Sequence, residues 1–473
     1  MLGLFGTLDL AAQSLQTQMT GVEVTGQNLA NVNTTGYTRQ TVDIETSPDI
    51  NTTFGPEGTG AQVVSIQQAV DTALNSQIQS QESTNGYWNA QQSALETVEA
   101  DLDTYLSGAS STSTSNGSVS SSGLSSQISQ FFNDLQTVAT SPTDTGARQQ
   151  LISDAQDLAT TFNEVSSGLS QMNTTLNTAL SNDVSSANQL LSSIAGLNQQ
   201  ISIAQIGGGN ANDLMDQRQQ DLQNLAQLTD ITTTTNSNGT VNVSIGGQTL
   251  VSGNQVSDTL QTYDPGNGQL LVETATGGTP LTLGGGSMQG TIDARDGTLA
   301  TLQSNVNNLA STLITLFNGP YSTGYSQTGT TGAGFFTGSG ASNIGVNPTL
   351  ASDPGAFQAS GSATDNGDGS VALQLAQLGN TAWASLNQQT FEGSMNEAVG
   401  NFGDAAQTAN EQVTNQNAVM NMLTNQQSTV SGVSVDEEMT HLLVYQQAYE
   451  ASAELVTTVN QMLGDTLAMK SGS

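Results

Sequence analysis

Apolar residues recur at steps of three and four over most of this chain, the spacing of one face of a helix. The longest-sustained stripe is near the C-terminus. There Met439, Leu442, Gln446, Tyr449, Ala453, Val456, Asn460, Leu463 and Leu467 continue an a/d pattern for about four heptads, with two polar interruptions. Ser434 and Glu437 make a capping box, and Asp436, Glu437 and Glu438 fill the first turn, where the helix dipole favours carboxylates. Lys470 stands in the last turn, where the dipole favours a cation. The predicted helix, from Val433 to Lys470, would be roughly 52 Å long and cannot bury its stripe alone. Residues 7–31 predict a second stripe through Leu8, Ala12, Leu15, Met19, Val22, Gly26 and Leu29. Gly21 and Gly26 each cost this helix about 1 kcal/mol relative to Ala. The two end helices are therefore expected to pair as a coiled coil, with each other or with copies of themselves.

Between the ends the period changes several times. Asn28, Asn31, Asn33 and Gly36 read as a helix stop and turn, and residues 41–60 as an extended, turn-rich connector. Helical spacing returns from Val63 through Ile66, Val70, Leu74 and Ile78, and on through Trp88, Leu95, Val98 and Leu102. Residues 107–122 are almost pure Ser, Thr and Gly, which predicts a flexible surface loop. Helices are predicted from Leu124 to Ala139, from Ala147 to about Ile206, and from Asn212 to Leu228. The second would be about 90 Å long, a length suited to a coiled-coil hairpin. Residues 230–287 break into short alternating runs such as Val241–Ile245 and Thr249–Val251, punctuated by Asn-Gly, Gly-Gly and Pro-Gly turns, which predicts β-hairpins. Further helices are predicted from Asp293 to Phe317 and from Phe391 to about Thr429.

Composition limits what such a chain can do. Five Lys and Arg residues against 40 Asp and Glu give a formal charge of −35 over 473 residues, which disfavours nucleic acid and anionic membrane as partners. There is no Cys, hence no disulfide framework and no thiol chemistry. No apolar run approaches the roughly 18 residues of a membrane-spanning helix, so no membrane insertion is expected. MLGLFGTLDLAAQ lacks a basic leader region and a cleavage site, so any export is expected to use another route than a cleaved signal peptide.

No catalytic, cofactor-binding or metal site is predicted. The single histidine, His441, has no partner in sequence that would make it a general base, and it reads as a half-exposed interface residue. Gly207-Gly208-Gly209 has no Gly-Lys-Ser/Thr after it, and Asp365 to Gly369 lacks the ligand spacing of a calcium loop. Arg148, Arg218 and Arg295 each have an Asp within four residues, which predicts local surface ion pairs; bridges to acidic neighbours in an assembly are the alternative.

Asn28-Leu-Ala-Asn-Val-Asn-Thr-Thr-Gly-Tyr-Thr-Arg-Gln40 resembles the N-terminal signature of the bacterial flagellar axial proteins. Its Gly36-Tyr37-Thr38-Arg39-Gln40 form is closer to the hook-associated members than to hook or rod proteins. Ser431 to Glu438, Tyr445 to Ala451, Leu214 to Asp221, Thr249 to Gly253 and Asp293 to Gly297 resemble the same members. The resemblance implies a mainly α fold with a smaller β part: terminal helices paired as a coiled coil, and a long helical hairpin domain with an inserted β-hairpin region. The implied domains are 1–40 with 431–473, then 41–230 with 288–430, with 231–287 inserted. Residues 337–379 stand as a reduced loop where larger relatives carry an outer domain, which is thus reduced or absent. It also implies a structural, non-enzymatic subunit of the flagellum at the hook–filament junction. Implied partners are copies of itself, hook protein, a second junction protein (FlgL) and an export chaperone on the C-terminal helix. Implied location is extracellular, reached by type III export. The residues expected to form the assembly interface are the two stripes together with Asn31, Asn33, Gly36, Tyr37 and Arg39. A hook or rod subunit, or a secreted surface adhesin or enzyme, are the alternatives.

Overall fold

A computed structural model of the chain describes residues 3–52, 55–106, 123–207 and 209–471. The stretch 107–122, expected as a surface loop, lies outside them. Helix α1 runs Leu4–Ala30 and is followed by strands β1 (Gln40–Thr46), β2 (Ile50–Thr52), β3 (Gly55–Glu57) and β4 (Ala61–Gln68), and then helix α2 (Thr72–Leu106). β1 and β4 pair antiparallel from Gln40 opposite Gln68 to Thr46 opposite Ala61, with a bulge at Asp43/Ile44, and β2 pairs with β3. Residues 63–70 were expected to open a helix, and here the structure corrects the reading. Val63, Val64 and Ile66 are β-branched and fit either period over so short a run; pairing with β1 decides for strand. The helix starts instead at Thr72, where the Asp71 carboxylate accepts from the backbone N–H groups of Ala73 and Leu74 at 2.9 and 3.1 Å.

α3 (Leu124–Thr140), α4 (Thr145–Ile206) and α5 (Asn212–Leu228) lie close to their predicted limits. The Asp144 carboxylate caps α4 by accepting from Gly146 N–H at 2.8 Å. At 62 residues α4 is about 93 Å long and belongs to two cores in turn. Leu151 to Leu176 join the larger one, and Leu180 to Ala195 the smaller.

The smaller core is closed by the β region. β5 (Thr232–Thr235), β6 (Val241–Ile245), β7 (Gln248–Ser252) and β8 (Gln255–Val256) form a four-stranded antiparallel sheet, beside a hairpin of β9 (Leu260–Tyr263) and β10 (Leu271–Thr274). Val241, Val243, Ile245, Leu250 and Val251 pack onto α4. Three asparagines of α4 read the strand backbone. Asn177 accepts from Leu270 N–H at 3.1 Å, and Asn188 accepts from and donates to Leu260 at 2.8 Å. Asn198 accepts from Val241 N–H at 3.1 Å and donates to Val241 and Gly253 carbonyls at 2.7 and 2.6 Å.

α6 (Gly286–Asp293) passes through a π turn at Ala294–Leu299 into α7 (Ala300–Tyr321). β11 (Phe336–Thr337), β12 (Gly345–Val346), α8 (Pro348–Ser352) and α9 (Ser370–Leu378) follow, and then α10 (Phe391–Ser431) and α11 (Val435–Ser471). Residues 337–379 are no loose loop. Ile344, Leu350, Phe357, Val371 and Leu375 sink into the larger core beside a cluster of Phe131, Phe317, Tyr321, Phe335 and Phe336.

Candidate assembly site on the terminal helices

α1 and α11 lie side by side and antiparallel. Asn28 meets Glu438, Gly21 meets Tyr445, and the Ser14 and Ser452 hydroxyls are 2.9 Å apart. The buried seam of α1 is small and polar: Ala11, Thr17, Gly21, Val24, Thr25 and Asn28. Among the described residues of α11 only Glu438 and Val459 are buried, with Tyr445, Ala448 and Ser452 half-buried beside them. Two helices with small residues at the contact approach closely, and Tyr445 lays its ring where a side chain at position 21 would be.

The paired face thus overlaps only part of the face that the hydrophobic pattern selects. Leu8, Leu15, Val22 and Leu29 lie half-buried at the seam's edge, as do Leu442, Ala453, Val456 and Leu463. Ala12, Met19, Met439, Gln446, Tyr449, Asn460 and Leu467 are exposed. Gln446 and Asn460 therefore do not interrupt the seam with α1. Their neighbours Tyr445 and Val459 take those places, because the true heptad runs 438, 445, 452, 459, one residue out of step. Large apolar residues are among those that α1 and α11 turn outward: Phe5 (76% exposed), Met19, Leu443, Val444, Leu455, Met462 and Leu467 (67%).

Where the coil joins the body, the motif residues form a knot within the chain. Asn31 ends α1, and Gly36 turns the chain at φ +80°, a region that glycine enters at no steric cost. Tyr37 donates to Asn28 Oδ1 at 2.9 Å, and the same oxygen accepts from Gln40 N–H at 2.9 Å. Asn28 Nδ2 donates to Glu438 Oε2 at 3.1 Å and to the Gln40 carbonyl at 2.8 Å. Arg39 reaches Glu438 Oε1 at 2.8 Å and Glu437 Oε2 at 2.9 Å, while its N–H donates to the Ser431 carbonyl at 2.8 Å. α5 completes the knot. Asp216 accepts from Thr38 N–H and from Gln68, and Asp213 accepts from Gln40. Burial, then the Asp213, Asp216 and Glu438 charges, push the Tyr37 phenol up to about 12, so it stays a donor. Burial raises Asp216 above the usual carboxylate range as well. Asn33 is exposed and stands outside the knot. The polar members Glu438, Asn28, Asp213 and Asp216 were invisible to a search for apolar stripes; the sequence signal for them is the amide-rich run 28–40 itself.

The arginines correct a second expectation. Arg148 is buried and donates to the carbonyls of Pro142 at 2.6 Å and Phe357 at 2.8 Å, so it ties α4 to the segment after α8 rather than pairing with Asp144. Arg218 is buried against Asn198 Oδ1 at 2.8 Å and the Gly239 carbonyl at 2.6 Å, rather than against Asp221. Arg295 does hold Asp296, at 2.6 and 2.9 Å, but from a fully buried position from which it also donates to Asn177 and to the Leu270 carbonyl. A guanidinium has five donors and no acceptor, so buried strand ends and turns with unpaired carbonyls are what it satisfies.

His441 is exposed, its ring 6.4 Å from that of Tyr445. The Asp365–Gly369 carboxylates are taken by backbone N–H groups: Gly367 at 3.0 Å for Asp365, and Gly361 at 2.7 Å and Ser370 at 3.0 Å for Asp368. Among the described residues no group of three His, Cys, Asp or Glu could hold a metal ion, and no helix is long and apolar enough to cross a membrane. A cleft of about 960 Å³ between α5, the α2–α10 pair and the knot is lined mainly by amides and hydroxyls.

Three family descriptions match in the same order as these parts. Residues 115–336 match the flagellar hook-associated protein FlgK helical domain, residues 8–38 the flagella basal body rod protein, and residues 425–469 the flagellar basal body rod FlgEFG protein C-terminal region. Flagellar hook-associated protein 1 of Bacillus subtilis (strain 168) is 28% identical, with 98% of both chains covered. The chain is similar to FlgK along nearly its whole length. Its Escherichia coli (strain K12) relative, also flagellar hook-associated protein 1, is 23% identical over 95% of this chain and 97% of that one. The solved flagellar hook junction protein FlgK from Burkholderia pseudomallei superposes with a TM-score of 0.64 at 18% identity, covering 75% of this chain and all of that one. At that identity it supports the FlgK fold. The two family matches at the ends fall on α1 and α11, the helices whose apolar faces are turned outward.

Proposed function

We propose that this chain is a structural subunit of the bacterial flagellum at the hook–filament junction, without catalytic activity, and that copies assemble through the outward faces of α1 and α11. The observation that carries the reading is the mismatch on these helices: they pair through a seam of mostly small or polar residues and leave several of their larger apolar residues in solvent. A monomer gains nothing from that arrangement. An assembly does, at about 1.5–3 kcal/mol for each Leu, Val or Met that a neighbour covers fully. The knot of Asn28, Tyr37, Arg39 and Glu438 gives the coil one direction relative to the body, so that every subunit presents its stripe alike. In this reading hook protein lies on one side and a second junction protein (FlgL) on the other. The chain leaves the cell unfolded by type III export, and an export chaperone shields roughly Val433 to Lys470 beforehand. α1, with three glycines, is a helix that is marginal in isolation and suits such a route. Deleting the gene should leave cells with hooks but no filaments and with unpolymerised flagellin in the medium; filaments of normal length would sink the proposal.

A further inference from the structure

The arginines have a consequence for how copies of this chain can touch. Arg148, Arg218 and Arg295 are buried and occupied by carbonyls, amides and Asp296, and Arg39 is held by Glu437 and Glu438. These are four of the five basic residues, set against 40 acidic ones. The carboxylates, by contrast, stand mostly in solvent. On α10, Glu397, Asp404 and Glu411 follow one another at seven-residue spacing, all exposed, and so lie along one face. The coil has exposed carboxylates of its own, at Asp9, Glu23, Asp436, Glu437, Glu450, Glu454 and Asp465, but none stands between Met439 and Tyr449, where Leu443 and Val444 are more than half exposed.

Two such molecules brought together find no free arginine to set against a neighbour's carboxylate. Their bodies repel, and only the apolar faces of α1 and α11 attract. We infer that copies of this chain associate through apolar contacts made against body-to-body repulsion, so that the association strengthens as ionic strength rises. This rests on the self-assembly proposed above. An interface built from ion pairs behaves in the opposite way, since screening removes its attraction.

The test is sedimentation velocity of the purified full chain between about 0.1 M and about 1 M sodium chloride, over which the Debye length falls from about 10 Å to about 3 Å. The apparent association constant should rise at least about tenfold, equivalent to 1.4 kcal/mol. A variant carrying Glu397→Gln, Asp404→Asn and Glu411→Gln, with an unchanged circular dichroism spectrum, should reach the same degree of association at lower salt. That second arm separates screening from a general salting-out of apolar surface: equal salt profiles for chain and variant would overturn the repulsion. Association that weakens with salt would overturn the inference and leave self-assembly standing. No association of either protein at any salt would overturn both, and the deletion phenotype would then show whether the junction role survives through other partners.

Discussion

Two glycines five residues apart on α1 should respond to the same substitution with opposite sign. Gly26 is exposed and an added Cβ would meet nothing within 4 Å, so Gly26→Ala gains only helix propensity, about 1 kcal/mol. Gly21 carries the same propensity cost, but its Cβ would stand 2.7 Å from Cδ1 and Cε1 of Tyr445 and 2.9 Å from Cγ. Those atoms are the near side of the ring, not the free end of a flexible chain, so the whole helix contact must open. Overpacking of this kind costs about 1–3 kcal/mol, and three sub-contact distances put it in the upper half of that range. Subtracting the propensity gain leaves Gly21→Ala destabilising by about 1–2 kcal/mol. Hydrogen exchange of α1 and α11 amides reads this directly, since local opening sets their protection. Gly26→Ala should slow exchange about fivefold, and Gly21→Ala should speed it by about five- to thirty-fold. Tyr445→Ala in the Gly21→Ala background should remove most of the overpacking penalty, a non-additivity that a double-mutant cycle measures. Slower exchange in Gly21→Ala, matching Gly26→Ala, would refute the seam as described.

Two further outcomes follow from the knot and from the body. Glu438→Ala leaves Arg39 and Asn28 without their buried acceptor; because Arg39 is one-fifth exposed and keeps Glu437, the loss should be about 2–3 kcal/mol, below the 3–5 kcal/mol typical of a fully enclosed pair. Exchange should rise at the Ser431–Tyr445 end of the coil first, and Arg39→Lys should give a similar loss, since an ammonium cannot span both carboxylates in the guanidinium's fork. In the larger core, burial and then the hydrogen bond and charge of Asp154 raise Asp134 to about 7, well above its unfolded value near 4. The folded state then holds the proton more tightly, so this group's contribution is full below about pH 4 and is lost as pH rises toward about 7. Asp134→Asn should raise the Tm relative to the parent at pH 8 and raise it less at pH 5; an equal difference at both would count against it.

The long helices were legible because their stripes outlast any ambiguity of period: Leu169 to Ile201 on α4, and Val413 and Leu423 on α10, are buried as the spacing demanded. The β region was legible from its turns. Legibility failed where the decisive partner is remote or polar. Val63 to Gln68 is a strand because β1 lies beside it, and nothing within those residues says so. The α1–α11 seam was misplaced by one heptad position because Glu438, Gly21, Ser14 and Ser452 contribute fit and hydrogen bonds rather than hydrophobicity. Likewise Arg148 and Arg218 have an Asp nearby in sequence, yet burial sends them to carbonyls that only the tertiary fold brings within reach.

The central claim is that the seam holds the subunit together while the outward stripe builds the junction. Its most direct test is to complement a deletion strain with Met19→Glu and, separately, Met462→Glu, both near half exposed. Each purified protein should keep the parent's Tm, since a charge at either place meets water in the monomer. In cells, electron microscopy should show hooks without filaments, because the same charge would be buried on assembly. Filaments of normal number and length from both variants would contradict the account.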